Sequence, residues 1–323
     1  MGELLDRRLI FVTGKGGVGK STVAIALGIL AARHGRRTIV AELASQDRVQ
    51  QTFEQTGETF KEVRLGDGLF TISIDPQGAM DEYLKVKTGA VGQKLGSSRL
   101  FQALAMATPG MRELLTIGKV WELAQPERRT EDADPYDLVI VDSPAAGHGL
   151  GILRTPRTFA EIARVGPIAH QGRIIAKTIA SHKFTAVVAV ATAEEMPVNE
   201  TLWLRDELVV DKRPLDAVIV NALYPRRFRG GEQAELRAVR ERSPSPLVNA
   251  ALDAALSESE RARRQAQQLK RLQRGLGSRP LELPYLFAEQ LGPAEHGRLA
   301  DALQRGLARR SMLPARKPAT LTG

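Results

Sequence analysis

The 323-residue sequence predicts an α/β fold with a doubly wound, mainly parallel sheet. Short apolar runs of β-forming residues recur along the chain, and stretches with helical spacing separate them. This alternation is typical of parallel sheets that are covered by helices on both faces. The predicted strands are 9–12, 38–41, 69–74, 137–141, 185–190, 215–220 and 280–283. Such a sheet binds its ligands at the carboxyl ends of the strands.

A glycine-rich stretch directly follows the first predicted strand. Gly14, Gly19, Lys20 and Ser21 fit the pattern G-x-x-x-x-G-K-[ST], and apolar residues at helical spacing follow. The glycines let backbone N–H groups close around phosphates, Lys20 reaches the β- and γ-phosphates, and the Ser21 hydroxyl ligates Mg²⁺. We therefore expect a phosphate-binding loop of the P-loop NTPase type. Its predicted binding residues are Gly14, Lys15, Gly16, Gly17, Val18, Gly19, Lys20, Ser21 and Thr22.

A later apolar strand ends in an acidic residue, Asp142, within the stretch YDLVIVDSPAAGHGLG. A carboxylate at that strand end holds Mg²⁺ opposite the phosphate loop in nucleoside triphosphatases. Ser21 and Asp142 are therefore the predicted metal ligands. The predicted catalytic residues are Lys15, Lys20, Glu42 and Asp142. Lys15 is a second cation at the loop that offsets charge on a transferring phosphoryl group, and Glu42 is a carboxylate at the C-terminal end of another strand.

Composition narrows the class of protein. Hydrophobic residues make up 43% and charged residues 26%, and no run approaches the ~18 apolar residues of a membrane-spanning helix. The N-terminus does not read as a secretory signal, so we expect a cytoplasmic protein. The absence of cysteine excludes disulfides and thiolate metal sites. A net charge of +9 with only 5% aromatic residues favours a solvated basic surface over nucleic-acid binding.

Two motifs resemble one class of ATPases. The octet GKGGVGKS at 14–21 resembles the deviant phosphate loop shared by arsenite-pump (ArsA) and MinD-type ATPases. Asp142, followed after four residues by Gly147 and His148, resembles the switch of the ArsA-like branch, which includes tail-anchored-protein targeting ATPases. The resemblance implies that Gly147 and His148 form a switch that senses the γ-phosphate. The string ATAEEMPVNETLWL at 191–204 is similar to a bacterial subgroup described as anion-transporting ATPases.

The resemblance also implies ligands and partners. It implies ATP with Mg²⁺ as cofactors, and a dimer in which Lys15 reaches the partner's nucleotide. Asn221 ends an apolar strand, and its amide can donate to and accept from adenine at once. Pro284 and Tyr285 correspond to the segment that flanks the base. The dimer is either a homodimer or a heterodimer with an ArsA-like paralogue.

The sequence departs from the family pattern in two places. It has no cysteines, which excludes arsenite capture by thiolates and the C-x-x-C zinc site of the eukaryotic targeting ATPases. The segment VAELASQDRVQ at 40–50 lacks the aspartate that orients the attacking water. Glu42 either substitutes for that aspartate or only acts as a cap or pairs with a surface arginine. Hydrolysis is therefore expected to be slow, and a hydrolysis-impaired regulatory subunit is an alternative.

The remaining expectations concern organisation. Residues 1–310 are predicted to form a single ATPase domain, and 311–323 a disordered tail. Helical inserts are expected at about 76–130 and 152–182, the second broken at Pro156 and Pro167, and an exposed helix or helix pair at 232–275.

Two further functions remain open at this point. An apolar ridge at 106–121 suggests an apolar client or a membrane-protein partner, although such a ridge is more often core. A MinD/ParA-type positioning ATPase that binds membrane or DNA is the other alternative, and the spacing from Asp142 to Gly147 disfavours it.

Overall fold

The computed structural model describes residues 2–43, 47–55, 57, 59–85, 110–130, 133–163 and 167–311. The strands in these ranges are β1 (Leu9–Gly14), β2 (Thr38–Glu42), β3 (Val63–Gly66), β4 (Leu69–Ser73), β5 (Leu138–Asp142), β6 (Thr185–Thr192), β7 (Ala217–Leu223) and β8 (Leu281–Pro284). The helices are α1 (Gly2–Leu5), α2 (Lys20–Arg33), α3 (Arg48–Thr52), α4 (76–85), α5 (Met111–Leu123), α6 (Ala146–Ala163), α7 (Pro167–Ala180), α8 (Glu195–Val210), α9 (Gly230–Arg242), α10 (Pro246–Leu276) and α11 (Pro293–Ser311).

The strands form one eight-stranded sheet in the order β3-β4-β2-β5-β1-β6-β7-β8. Every neighbouring pair is parallel except β3 and β4, which are antiparallel. The predicted α/β class and all seven predicted strands are confirmed. Strand β3 was missed because its four residues, VRLG, carry no apolar run; a tight turn at Gly68, with φ at 69°, joins it to β4.

Central strand β1 shows how the two faces are filled. Successive side chains point to opposite faces of a strand. Ile10 and Val12 join one buried cluster with α2 and α11, while Leu9 and Phe11 join another with α5, α6 and α7. Burying one such side chain stabilises the fold by about 1.5–3 kcal/mol. Helices therefore cover both faces, as a doubly wound sheet requires.

Helices of the predicted inserts pack against the second face of the sheet. Leu114, Ile117 and Val120 of α5 are buried there, so much of the ridge predicted at 106–121 belongs to the core. Residues 86–109, which include Met106, lie outside the described residues. The client surface suggested by this ridge therefore loses two of its apolar members, Leu114 and Val120.

Helix α6 differs from the prediction in two ways. It begins at Ala146, well before residue 152, and it runs through Pro156 to Ala163 without the predicted break. A proline removes one helical hydrogen bond, but packing can compensate. The backbone of α7 approaches closely at Gly172, where a Cβ atom would lie 3.2 Å from the Pro156 carbonyl oxygen. The predicted break at Pro167 coincides with the first residue of α7.

The stretch predicted at 232–275 forms a helix pair, α9 and α10, with most of its side chains exposed. The Ser245 hydroxyl accepts from the Val248 amide at 3.5 Å, and Pro246 occupies the first turn of α10.

The predicted tail from 311 falls almost wholly outside the described residues, since Ser311 ends α11. In the described part of the chain, no helix has both the length and the apolar character needed to cross a membrane.

Candidate functional site

The glycine-rich loop joins the end of β1 to the start of α2. Gly14 and Gly19 have φ angles of 149° and 88°, which favour glycine. A Cβ atom on Gly14 would overlap the Val190 carbonyl, and one on Gly19 would overlap the Asn221 side-chain amide. The loop is therefore held against β6 and β7, and only glycine fits at these two positions. Gly16 and Gly17 are exposed at the opening, whereas Val18 is buried in the core.

The two lysines of the loop have different settings. The Lys20 ammonium group donates to the Lys15 carbonyl at 3.1 Å, so it is folded over the loop. Burial lowers the pKa of Lys20, and the nearby carboxyl of Asp142 partly opposes this shift. The Lys15 side chain is half-buried. Lys20 therefore lies where the predicted phosphates would be bound, and Lys15 stands at the edge of the loop.

Ser21 and Asp142 meet at the mouth of the loop. The Ser21 hydroxyl donates to Asp142 Oδ2 at 2.5 Å. Asp142 is only 9% exposed, and its Oδ1 atom is buried without a hydrogen-bond partner among the described residues. Burial raises the pKa of Asp142, and the hydrogen bond from Ser21 and the charge of Lys20 oppose that effect. A hydroxyl beside a buried carboxylate with a spare oxygen is a donor set that fits Mg²⁺.

Glu42 ends β2 and lies opposite Asp142 in the register with β5. It is 3% exposed, and its two carboxyl oxygens accept from the Arg48 amide at 3.1 Å and the Val49 amide at 3.2 Å. Burial raises the pKa of Glu42 to about 7, against the opposing hydrogen bond from Val49. Of the two roles left open by the sequence, capping of α3 is the one that the described contacts display.

A cleft of about 570 Å³ opens over the loop and the strand ends. The predicted residues that line it are Gly16, Gly17, Gly19, Lys20, Ser21, Thr22, Glu42 and Asp142. Arg48, Leu291 and His296 also line it, although sequence reasoning did not single them out. His296 belongs to α11, and its ring contacts the Gly292 carbonyl at 2.8 Å. The sequence carried a weak signal only for Arg48, which follows the divergent segment after β2.

The predicted switch residues occupy the first turn of α6. Gly147 is exposed there, and the side chain of His148 lies outside the described residues. The Gly149 amide donates to the Ala145 carbonyl at 2.9 Å, which closes this turn. A Cβ atom on Gly149 would lie 2.6 Å from Thr13 Oγ1 at the end of β1. The predicted switch segment is therefore a helical turn docked beside the phosphate loop, and its switching role stays a prediction.

The predicted base-binding residues are not part of the cleft lining. The Asn221 amide donates to the Val18 carbonyl at 3.1 Å, which braces the phosphate loop. Pro284 ends β8, and the Tyr285 ring stacks on Tyr224 with centroids 4.4 Å apart. Contact of Asn221, Pro284 and Tyr285 with adenine stays a prediction.

A mainly parallel sheet whose first strand runs into a glycine cradle, with the Ser21–Asp142 contact at its mouth, defines a P-loop nucleotide-binding protein. Within that class the chain belongs to the ArsA family, since the family model described as "Anion-transporting ATPase" matches residues 7–170.

Named relatives agree with this membership. "ATPase BagA" of Mycobacterium tuberculosis (strain H37Rv) is 31% identical over 226 residues, which cover 68% of this chain and 66% of BagA, just under two thirds of its length. "ATPase GET3" of Paracoccidioides lutzii is 29% identical over 281 residues, which cover 73% of this chain and 80% of the relative. The resemblance inferred from the two motifs is therefore confirmed.

Proposed function

We propose that this chain binds Mg²⁺-ATP and hydrolyses it slowly, and that it couples this cycle, as a dimer, to a partner or client protein. The observation that carries the proposal is the Ser21–Asp142 contact of 2.5 Å beside Lys20 at the glycine cradle. A triphosphate and its cation need this combination of N–H groups, ammonium, hydroxyl and carboxylate. Family membership and relatives whose names read "ATPase" support the proposal.

Each residue of the cradle has one task in this proposal. The loop N–H groups and Lys20 bind the phosphate oxygens, and Ser21 and Asp142 hold Mg²⁺. When bound, Mg²⁺ neutralises charge on the β- and γ-phosphate oxygens. A water oxygen forms a bond to the γ-phosphorus while the bond to the β–γ bridging oxygen breaks. ADP leaves with that electron pair, and the water proton passes to the released phosphate.

Slow hydrolysis follows from the strand end of β2. Both carboxyl oxygens of Glu42 accept hydrogen bonds from backbone amides at the start of α3, so this group caps the helix. Water positioning contributes to the rate in such enzymes, and its loss leaves binding intact. The same contacts favour a second candidate function, a regulatory subunit that binds ATP but depends on a paralogue for hydrolysis.

The proposed partner is a protein rather than nucleic acid. The resemblance to tail-anchored-protein targeting ATPases supports an apolar client. In this chain residues of α4, α5 and α7 line an apolar cavity of about 150 Å³, to which Met80, Met111 and Leu115 contribute. Methionine suits adaptable apolar contacts. We place the protein in the cytoplasm, where such clients are captured after synthesis.

Purified full-length protein tests the proposal directly. Calorimetry should show ATP binding that requires Mg²⁺, and Lys20→Ala should weaken it by about tenfold or more, because a charge-assisted hydrogen bond is lost. Asp142→Asn should remove most of the Mg²⁺ dependence. Lys183→Ala, an exposed lysine before β6, serves as the matched control. Equal binding by wild type and Lys20→Ala would end the proposal.

A further inference from the structure

Arg48 is an exposed cation in the cleft that the established motifs leave without a role. It begins α3, follows the strand end of β2, and lines the cleft together with Lys20 and Asp142. Within the described part of the chain its guanidinium group makes no ion pair. Most exposed arginines form loose pairs or point to solvent. An arginine that lines a predicted phosphate-binding cleft can instead bind an anion there.

The backbone of Arg48 is fixed by a buried group. Glu42 Oε1 accepts from the Arg48 amide at 3.1 Å, and Glu42 Oε2 accepts from the next amide at 3.2 Å. Glu42 itself stands opposite Asp142 in the parallel register of β2 and β5. The start of α3 is therefore tied to the strand end next to the predicted Mg²⁺ ligand. This anchoring sets where the Arg48 side chain leaves the backbone.

Arg48 and Lys20 are two cations in the lining of one cleft, and the buried carboxyl groups of Glu42 and Asp142 line it with them. A triphosphate is a polyanion, and a guanidinium fork matches phosphate oxygens in a bidentate way that an ammonium does not.

We propose that Arg48 contacts the γ-phosphoryl group of the bound triphosphate from the β2 side of the cleft, and that Glu42 is a positioning residue that acts through Arg48. The inference rests on the proposed function, because it assigns a further contact at the same site. It also gives the divergent segment after β2 a purpose: a cation supplied within the chain stabilises charge on the transferring group. Glu42 then needs no role in orienting water.

The test compares ATP with ADP, since only ATP carries the γ-phosphate. We expect Arg48→Gln to weaken Mg²⁺-ATP binding by about tenfold or more while Mg²⁺-ADP binding stays within about twofold. Arg48→Lys should fall between the two, because it keeps the charge and loses the fork. Arg64→Gln is the matched control, because Arg64 of β3 is exposed and forms an ion pair with the exposed Asp67. Without nucleotide, all three variants should unfold at the wild-type temperature. If Arg48→Gln unfolds at a lower temperature, the ATP and ADP affinities of Arg48→Lys serve as the test instead.

The positioning role has its own readout. If Glu42 acts through Arg48, Glu42→Gln should also reduce the preference for ATP over ADP, and the double variant should match Arg48→Gln alone. If the losses of ATP preference in the two single variants add up in the double variant, the role of Glu42 is overturned. Equal losses of ATP and ADP affinity, or no loss in Arg48→Gln while wild type binds ATP, would overturn the role of Arg48. Failure of the wild type to bind ATP would instead overturn the proposed function.

Discussion

Glu42 is almost fully buried. This burial raises the pKa of its carboxyl group to about 7. An unfolded glutamate releases its proton near 4.5, so folding takes up a proton between these two values. The stabilising contribution is thus fully present below about pH 4.5 and is lost as pH rises through about 7. This single residue makes the strand end of β2 sensitive to pH.

We expect Glu42→Gln to remove this dependence. Relative to the variant, the wild type should lose free energy of unfolding between pH 5 and 7, by about 1.4 kcal/mol per pH unit at most. Asp142 is present in both proteins, so the difference reports Glu42. Urea unfolding at pH 5, 6 and 7, without nucleotide or Mg²⁺, measures it. Two curves that stay parallel across this range would contradict the raised pKa.

At the scale of elements, the position of α6 depends on one glycine. The first turn of α6 packs against the end of β1, and a Cβ atom on Gly149 would lie 2.6 Å from Thr13 Oγ1. That distance is too short for a Cβ contact, so the helix, the strand end or the Thr13 side chain must shift. The docking of α6 beside the phosphate loop therefore favours glycine at this position.

Gly149→Ala should accordingly lower the free energy of unfolding by about 1–3 kcal/mol, the usual cost of overpacking. A Cβ atom on Gly151, two residues on in the same helix, would meet no atom of the described residues within 4 Å. Gly151→Ala should therefore leave the free energy of unfolding unchanged or raise it by up to about 1 kcal/mol, because alanine has the higher helix propensity. Chemical denaturation of both variants checks this, and adding Thr13→Ala to Gly149→Ala should restore part of the loss. Equal stability of the two glycine variants would refute the packing argument.

Sequence patterns predicted elements well where a local rule decides the outcome. Most of the parallel strands are buried and carry continuous apolar runs, which marked them in the sequence, whereas the four residues VRLG of β3 are half-buried or exposed and gave no such signal. Proline predicted a break in α6 that the structure lacks, because a local preference yields to packing against α7 at Gly172. A rule based on neighbouring residues in the sequence cannot predict contacts between residues that are far apart along the chain.

The candidate site divides in the same way. The glycine cradle follows from a contiguous pattern, so Gly14, Lys20 and Ser21 could be read directly. Arg48 and His296 could not, because they reach the cleft only when segments nearly 250 residues apart along the chain are brought together by the fold. The bracing of the loop by Asn221 belongs to the same group.

At the scale of the whole molecule, the cleft lies at the carboxyl ends of the strands, and the loop presents Lys15 at its edge. Among the described residues, Lys15 does not belong to the lining of its own cleft, and its backbone carbonyl accepts a hydrogen bond from the Lys20 ammonium group. Two chains with a net charge of +9 repel each other. A bound triphosphate brings negative charge to the place where a second chain's lysine could meet it.

ATP should therefore promote dimerisation of the proposed ATPase, and Lys15→Ala should weaken the ATP-bound dimer by about tenfold or more, because the charge that crosses the interface is lost. The same variant should retain ATP binding in the monomer within about threefold, since Lys20 carries that contact. Lys183→Ala is the control, because Lys183 precedes β6 at the amino ends of the central strands, opposite the cleft, where the Leu9 amide donates to the Phe184 carbonyl. Sedimentation velocity with ATP and with ADP measures the dimer fraction. A nucleotide-independent dimer, or an ATP-bound dimer that Lys15→Ala leaves intact, would remove the reason for the second lysine in the loop.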